Sequence, residues 1–268
     1  MKTVLVTGCS GYIGSHLVKH LEGKYKVLGL DIAPPDYSLE NFIRHDIKKP
    51  VEFTWLHVDA IIHLAAKVRV GESKKCPTEY YDTNLLGTLN ILEGISTNNF
   101  IFASTGVAEY CNDPYGISKK AAEDCVAETA NNYTTFRFYN VIGSDGFPPT
   151  NPDGLMYNLQ KAESRGSFTI YGKNCDTRDG TCERDYIHVK EVCHAIEKAI
   201  DDPAQGIECL GHGKGYTVKE IVALYKELHS STFSVRYAPK RQGDLDKTVL
   251  MNTSRYMEKL YSIEELLK

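Results

Sequence analysis

The chain lacks any apolar run long enough to cross a bilayer. Of its 268 residues the longest candidate, Ala60-Ile61-Ile62-His63-Leu64-Ala65-Ala66, is seven long and contains a histidine, against the roughly 18 that a spanning helix needs. Nor is there an excess of positive charge. Lys plus Arg is 31 against 35 Asp plus Glu, a net charge of −4, and the basic residues are scattered. Such a chain is a poor match for a phosphate backbone, so nucleic acid is not expected as a main partner. At the N-terminus, Lys2 precedes only Val4-Leu5-Val6 before Thr7-Gly8, too short for a signal-peptide core. A cytoplasmic protein without a membrane partner is expected. There is no CxxC pair among the eight cysteines, at 9, 76, 111, 125, 175, 182, 193 and 209, and free thiols are the expectation. Cys175, Cys182 and His188 match no zinc spacing, so no metal is expected. Repeats and low-complexity tracts are absent too.

What is present is an ordinary globular composition, 42% hydrophobic and 25% charged, enough to bury a sizeable core. At about 150 residues per domain the length gives one large or two modest domains. Short apolar runs alternate with helical stretches. Thr3-Val4-Leu5-Val6, Lys26-Val27-Leu28-Gly29-Leu30, Ala60-Ile61-Ile62, Phe100-Ile101-Phe102 and Thr135-Phe136-Arg137-Phe138 read as buried parallel strands. Tyr12 to Glu22, with Ile13, Leu17 and Leu21 on one stripe, Glu79 to Ile95, and Tyr115 to Ala130 read as helices. The alternation predicts an α/β fold with a doubly wound, Rossmann-type parallel sheet over residues 1–142. Beyond Gly143 the texture changes, starting with the loop cluster Pro148-Pro149-Thr150-Asn151-Pro152-Asp153-Gly154. Residues 143–268 are expected to form a smaller α/β region for substrate. Within it, Thr217-Val218-Lys219-Glu220 has the capping-box pattern of a helix start.

Gly8-Cys9-Ser10-Gly11-Tyr12-Ile13-Gly14 follows the first strand and opens the first helix. Glycines suit that position because the chain turns sharply, approaches a pyrophosphate closely and aims free N–H groups at it. The spacing is GxxGxxG, so context carries the reading: strand, loop, helix, second strand, then Asp31 at that strand's end. A carboxylate there accepts hydrogen bonds from an adenine-ribose diol and repels a 2′-phosphate, which favours NAD over NADP.

Tyr115-Gly116-Ile117-Ser118-Lys119 places a phenol and an ammonium on the same helix face. A nearby cation lowers a tyrosine pKa toward the range of general acid–base work. The spacing alone is weak, because Tyr157/Lys161 and Tyr186/Lys190 share it. Position selects Tyr115/Lys119, which begins the helix after the Phe100–Phe102 strand, whose end carries Ala103-Ser104-Thr105. In doubly wound sheets ligands bind at the carboxyl ends of strands. The other two pairs are expected to be surface or packing features.

Taken together, Thr7-Gly8 through Tyr12-Ile13-Gly14-Ser15-His16, His63-Leu64-Ala65-Ala66, Val70-Gly71-Glu72-Ser73, Asn84 and Pro114-Tyr115-Gly116 resemble an extended short-chain dehydrogenase/reductase. More narrowly, Asp179-Gly180-Thr181-Cys182-Glu183-Arg184-Asp185-Tyr186-Ile187-His188-Val189, Arg137-Phe138-Tyr139-Asn140 and Arg241-Gln242-Gly243-Asp244 resemble segments typical of UDP-glucose 4-epimerases. The resemblance implies that Tyr115 is the base at the sugar 4-hydroxyl and that Lys119 holds the nicotinamide ribose. It aligns the active strand-end hydroxyl with Thr105, Ser104 being the second choice. Cofactor contacts are implied for Gly8, Gly11, Tyr12, Ile13, Gly14, Asp31, Asp46, Ile47, Leu64, Ala65, Ala66, Asn84 and Tyr139. Asn140, Leu155, Arg184 and Arg241 are implied to hold the nucleotide diphosphate, and Tyr171 to stack on the uracil. Guanidinium suits such a diphosphate independently. Thr248, four residues after Asp244, stands where members of this family border the sugar C2 side. Two departures are visible: Lys67 sits one position before the family's lysine, and Gly154 replaces an asparagine.

The implied activity is interconversion of UDP-glucose and UDP-galactose through a 4-keto intermediate with bound NAD, in a homodimer built on the helices at 79–95 and 115–130. A related 4,6-dehydratase would carry Asp-Glu after the strand-end threonine; here Gly106-Val107 follow Thr105, and neither side chain moves a proton. A non-catalytic NAD-binding sensor would have no need of Thr105, Tyr115 and Lys119 together.

Overall fold

The computed structural model describes residues 1–53, 56–258 and 260–268. In chain order the elements begin with β1 (Thr3–Thr7), α1 (Tyr12–Leu21), β2 (Lys26–Asp31), β3 (Phe42–Arg44), β4 (His57–Val58) and β5 (Ala60–His63). Then come α2 (Val70–Ser73), α3 (Pro77–Tyr80), a π-helical turn (Tyr81–Leu86), α4 (Gly87–Gly94), β6 (Ser96–Thr97) and β7 (Phe100–Thr105). A 3-10 turn (Gly106–Glu109), α5 (Pro114–Thr129), β8 (Tyr133–Phe138), β9 (Asn140–Ile142), α6 (Leu155–Arg165) and β10 (Ser167–Tyr171) follow. The chain continues with β11 (Glu183–His188), α7 (Val189–Asp201), β12 (Gly206–Leu210), β13 (Gly215–Thr217) and α8 (Val218–Leu228). It closes with β14 (Ser234–Ala238), β15 (Lys247–Thr248) and α9 (Ile263–Leu266).

The chain divides into two compact units, Met1–Phe138 with Cys193–Glu208, and Tyr139–Val192 with Cys209–Lys268. The first boundary falls four residues before the expected 142. The segment 193–208, expected in the second region, belongs to the first, because its residues bond there: Asn99 Nδ2 donates to the carbonyls of Ala199 and Ile200 at 2.8 and 3.2 Å. Composition alone gives no sign of that return.

In the first unit a seven-stranded sheet has the order β12-β8-β7-β5-β1-β2-β3, with β3, β2, β1, β5, β7 and β8 parallel to their neighbours. The order reverses between β1 and β5, and the crevice at the carboxyl ends there is where such sheets bind ligands. Burial on both faces explains the unbroken apolar runs of β1, β5 and β7. Leu5, Leu30, Ile61, Ile91, Phe100 and Phe102 form one core with Ala122 and Val126 of α5. On α1 the predicted stripe buries Leu17 and Leu21 fully, while Ile13 is half-buried. The stretch predicted as one helix from Glu79 to Ile95 is instead α3, the π turn and α4 in succession. Its extra residue per turn leaves no trace in apolar periodicity.

The second unit has its own core, with Met156, Leu159, Phe168, Ile170, Tyr186, Ile221 and Tyr225 among its members. β11 pairs with β9 and β15 in parallel and with β13 antiparallel. The expected capping box is present: Thr217 accepts from the Glu220 N–H, and Glu220 reaches back to Thr217 N.

Candidate active site

The β1–α1 turn is built to take an anion. Gly8 has φ +71°, and a Cβ there would crowd the Leu64–Ala65 backbone at 2.7–2.9 Å. A Cβ at Gly14 would collide with the Gly8 carbonyl oxygen. Gly11 caps α1 without a side chain, and its first turn holds no acidic residue, so the first N–H groups face outward with the positive end of the helix. Tyr12 and Ile13 form that turn, where burial pushes the Tyr12 phenol pKa up. At the end of β2, Asp31 is held by three N–H donors, Ser10 at 3.1 Å, Ile32 at 2.7 Å and Ala33 at 3.4 Å. They fix a carboxylate with about four acceptor directions beside the glycine turn. These features fit a dinucleotide: pyrophosphate at the helix start, ribose diol at Asp31.

Asp46 caps its own turn through the Lys48 N–H at 3.1 Å. Ile47 is buried against Gly87, and its carbonyl accepts from Asn90 Nδ2 at 2.7 Å. Its side chain therefore belongs to the core, leaving the backbone at 46–47 for an adenine.

Behind the turn runs a buried hydrogen-bonded chain that the sequence offers no role for. Thr88 Oγ1 donates to the Asn84 carbonyl at 2.6 Å, so its oxygen accepts from His63 Nε2 at 3.1 Å. His63 Nδ1 then accepts from Thr7 Oγ1 at 2.7 Å, whose oxygen takes the Ala65 N–H at 3.2 Å. Burial, with Lys119 nearby, lowers the His63 pKa to about 3, so the imidazole stays neutral as this chain requires. The available signal was a histidine inside an apolar run. The chain anchors the loop Leu64-Ala65-Ala66, whose Leu64 N–H also bonds the Thr7 carbonyl at 3.2 Å.

Asn84 sits within the π turn, fully buried. Its Nδ2 donates to the Lys67 carbonyl and to Ser118 Oγ, both at 3.0 Å, and its Oδ1 accepts from Lys67 N at 2.8 Å. With both donors committed inside the protein, it positions the Lys67 loop and α5.

α5 starts where Asp113 accepts from the Gly116 N–H at 2.9 Å and Pro114 fills the first helical position. A Cβ at Gly116 would lie 2.9 Å from the Val107 carbonyl oxygen, so the helix start is pressed onto the turn that follows β7. This places the Tyr115 phenol near the Thr105 hydroxyl, close enough for the hydroxyl to favour the phenolate. Ser104, one residue earlier, points to the opposite side of the strand. Its hydroxyl donates to Glu123 Oε1 at 2.5 Å. Thr105 is therefore the hydroxyl this arrangement offers beside Tyr115, while that of Ser104 is committed to Glu123. Glu123 also receives Arg137 through Nε at 2.9 Å and a terminal nitrogen at 2.8 Å, a buried bidentate pair beneath α5.

Lys119 is buried with its ammonium 4.1 Å from the Phe102 ring centroid. Burial lowers its pKa to about 7, against the opposing pull of Glu123. Tyr115 departs from expectation: burial raises it to about 12, with Thr105 acting to lower it and Asp113 to raise it. In the ligand-free protein desolvation wins.

The rival pairs separate cleanly. Lys161 lies over the Tyr157 ring at 5.8 Å along α6. Tyr186 is a core residue of β11, while Lys190 pairs with Asp145 at 3.0 Å. Cys175 and Cys182 have their sulfurs 3.5 Å apart, whereas His188 stacks on Tyr261 at 4.3 Å.

In the second unit the predicted nucleotide contacts fall into two groups. Arg184 and Thr248 are register partners across β11 and β15, and Asn140 pairs with Tyr186 on β9 and donates to the Asp185 carbonyl at 3.0 Å. Tyr139 immediately precedes Asn140, its N–H bonded to the Leu210 carbonyl at 3.1 Å. The Arg241 guanidinium lies 4.0 Å from the Tyr171 ring centroid and donates to the Asp153 carbonyl at 3.2 Å. Leu155 opens α6 after Gly154, a cap without a side chain. The segment from Lys240 to Thr248 links the groups, since Lys240 pairs with Asp246 and the Asp246 carbonyl accepts from Arg184 at 3.5 Å. Two guanidiniums, a π-face and an uncapped helix start suit an aromatic base on a diphosphate.

A model of the NAD dependent epimerase/dehydratase family matches residues 4–211. A UDP-glucose 4-epimerase of Yersinia pestis is 32% identical, over 90% of this chain and 87% of its own length. One of Halalkalibacterium halodurans is 31% identical over 90% and 84%. A solved UDP-glucose 4-epimerase of Bifidobacterium longum, in complex with NAD+ and UDP, superposes with a TM-score of 0.86 at 26% identity, over 99% of this chain and 96% of that one.

Proposed function

Because the chain belongs to the NAD dependent epimerase/dehydratase family, we propose that it is a nucleotide-sugar 4-epimerase interconverting UDP-glucose and UDP-galactose. The single observation that carries this is the placing of Tyr115 at the start of α5, near Thr105 at the end of β7 and one helical turn from the buried Lys119. Relatives at 31–32% identity with that name support the substrate class. Incubation with UDP-galactose, followed for UDP-glucose, tests it. Failure to convert at high enzyme concentration with NAD bound would favour a sensor; loss of water from the sugar would favour a dehydratase.

In this reading Tyr115 takes the proton of the sugar 4-hydroxyl and returns it to the same oxygen after the 4-keto sugar has turned its other face to the cofactor, with Thr105 beside the phenol. NAD, when bound, supplies a hydride acceptor at C4 and a positive ring that offsets the burial cost of the phenolate. Lys119 holds the nicotinamide ribose, and its charged fraction rises when ribose hydroxyls replace the missing water. Arg184 and Arg241 hold the diphosphate. For an incoming uracil, Arg241 must yield the ring face of Tyr171 it covers or leave the base the other face.

Asp31 favours the ribose diol. The wild type is expected to bind NAD far more tightly than NADP, and Asp31→Ala to narrow the gap, measured by fluorescence titration. Equal affinities for the two cofactors in the wild type would remove Asp31 from the site.

Thr248 governs the sugar's C2 side. It is a small, buried residue beside Arg184, with no ring to exclude an acetamido group. UDP-N-acetylglucosamine is expected as a second substrate, with Thr248→Tyr suppressing it selectively. An enzyme active on UDP-glucose and inert toward the N-acetylated sugar would refute this.

Among the described residues no helix is long and apolar enough to cross a membrane. We read the protein as cytoplasmic and as a homodimer through the helices near 79–95 and 115–130. Leu86 and Ile117, 44% and 39% exposed, are apolar groups those helices leave uncovered. Light scattering should give twice the chain mass, and a monomer would contradict this.

A further inference from the structure

Two imidazoles and a carboxylate meet in the first unit, away from Tyr115 and from the glycine turn. His20 stands in the last turn of α1, and His194 and Glu197 lie one turn apart on α7. His20 Nε2 is 2.5 Å from Glu197 Oε2. The two imidazole centroids are 4.6 Å apart with their planes at 77°. One ligand atom from each residue can be chosen so that all three lie within 4.8 Å of one another, and all three residues are half-buried.

We propose that His20, His194 and Glu197 bind a transition-metal dication of the zinc class, tying α7 to α1. Two neutral imidazoles and one carboxylate are a set that zinc accepts, with water completing a tetrahedron. Ligand atoms about 2.1 Å from a tetrahedral ion sit about 3.4 Å apart, so rotation of the side chains by little more than an ångström closes the site. Burial works against the Glu197 carboxylate, but hydrogen bonds from Lys24 and His20 hold its pKa below the usual range. The negative end of the α1 dipole adds to the attraction. Lys24 competes, its ammonium 3.0 Å from the Glu197 carboxylate, yet its side chain is 47% exposed and free to swing into water. None of these side chains belongs to the catalytic or nucleotide-binding groups, so the site adds a structural clamp to a helix whose opposite end receives the pyrophosphate.

Zinc titration of the full chain with NAD bound, in chelator-free buffer, tests this by calorimetry. One saturable site is expected, weakened on the order of tenfold or more in His194→Ala and in Glu197→Gln, with epimerase turnover unchanged in both. The wild-type Tm should rise with zinc concentration, and the rise should vanish in the variants. Cobalt substitution reads the ligands directly: nitrogen and oxygen donors give no sulfur-to-metal charge-transfer band. Absence of saturable binding, equal affinity in wild type and both variants, or a thiolate band pointing to Cys175 and Cys182 would each overturn the assignment.

Discussion

Replacing Tyr115 by phenylalanine is expected to lower kcat by about two orders of magnitude or more, the usual scale for losing a positioned acid–base group, while NAD binding survives. The change removes one oxygen. The ring keeps its place against Tyr80, whose centroid is 6.3 Å away at 75°, and Lys119 keeps its position one turn on. What is lost is the phenol oxygen that the helix start presents near Thr105. The ligand-free phenol titrates near 12, so the wild-type rate should climb with pH as the phenolate fraction of the NAD-bound form rises. In Tyr115→Phe that dependence should flatten. Steady-state assays across pH check both features. Near-wild-type turnover in Tyr115→Phe, with loss in Tyr157→Phe or Tyr186→Phe, would mean the wrong pair has been chosen.

The largest stability loss is expected at Glu123. Its carboxylate is nearly inaccessible and accepts from Ser104 and twice from Arg137. Glu123→Ala removes both carboxylate bonds of the half-buried Arg137 guanidinium and the acceptor of the Ser104 hydroxyl. Breaking such a pair from one side costs about 3–5 kcal/mol. The same change removes the group that supports the Lys119 charge, so the lysine pKa should fall below its value of about 7. Denaturant midpoints measure the first effect. A double replacement by leucines at 123 and 137 should recover much of the loss, because matched apolar groups avoid burying a lone charge. A Glu123→Ala midpoint equal to wild type would show that the pair contributes nothing.

The sheet was legible because buried parallel strands are written as apolar runs, and five of them lie where such runs fall. Tyr115 and Lys119 were legible only through position, since their spacing recurs twice. Thr105 and Ser104 were not separable from composition, as both carry hydroxyls. The alternation of side chains along β7 separates them, and that needs a partner, Glu123, which lies 19 residues on. The depressed tyrosine pKa was expected from charge proximity alone; burial, invisible in sequence, reverses its direction in the ligand-free protein. Asn84 and the His63 chain show the same limit. Their bonds join residues up to 58 positions apart, and no periodicity marks them.

The return of residues 193–208 to the first unit has a consequence for how this chain can be cut. A ribosome that has made residues 1–142 has not yet made β12, the strand next to β8 at the end of the sheet. It has also not made the carbonyls that quench Asn99. An excised nucleotide-binding fragment ending there would expose β8 as a raw edge, the kind of surface that recruits other chains into aggregates. Soluble expression should therefore require the chain to run past Leu210. During synthesis the first unit must wait, partly open, until 54 intervening residues, Tyr139–Val192, have been made.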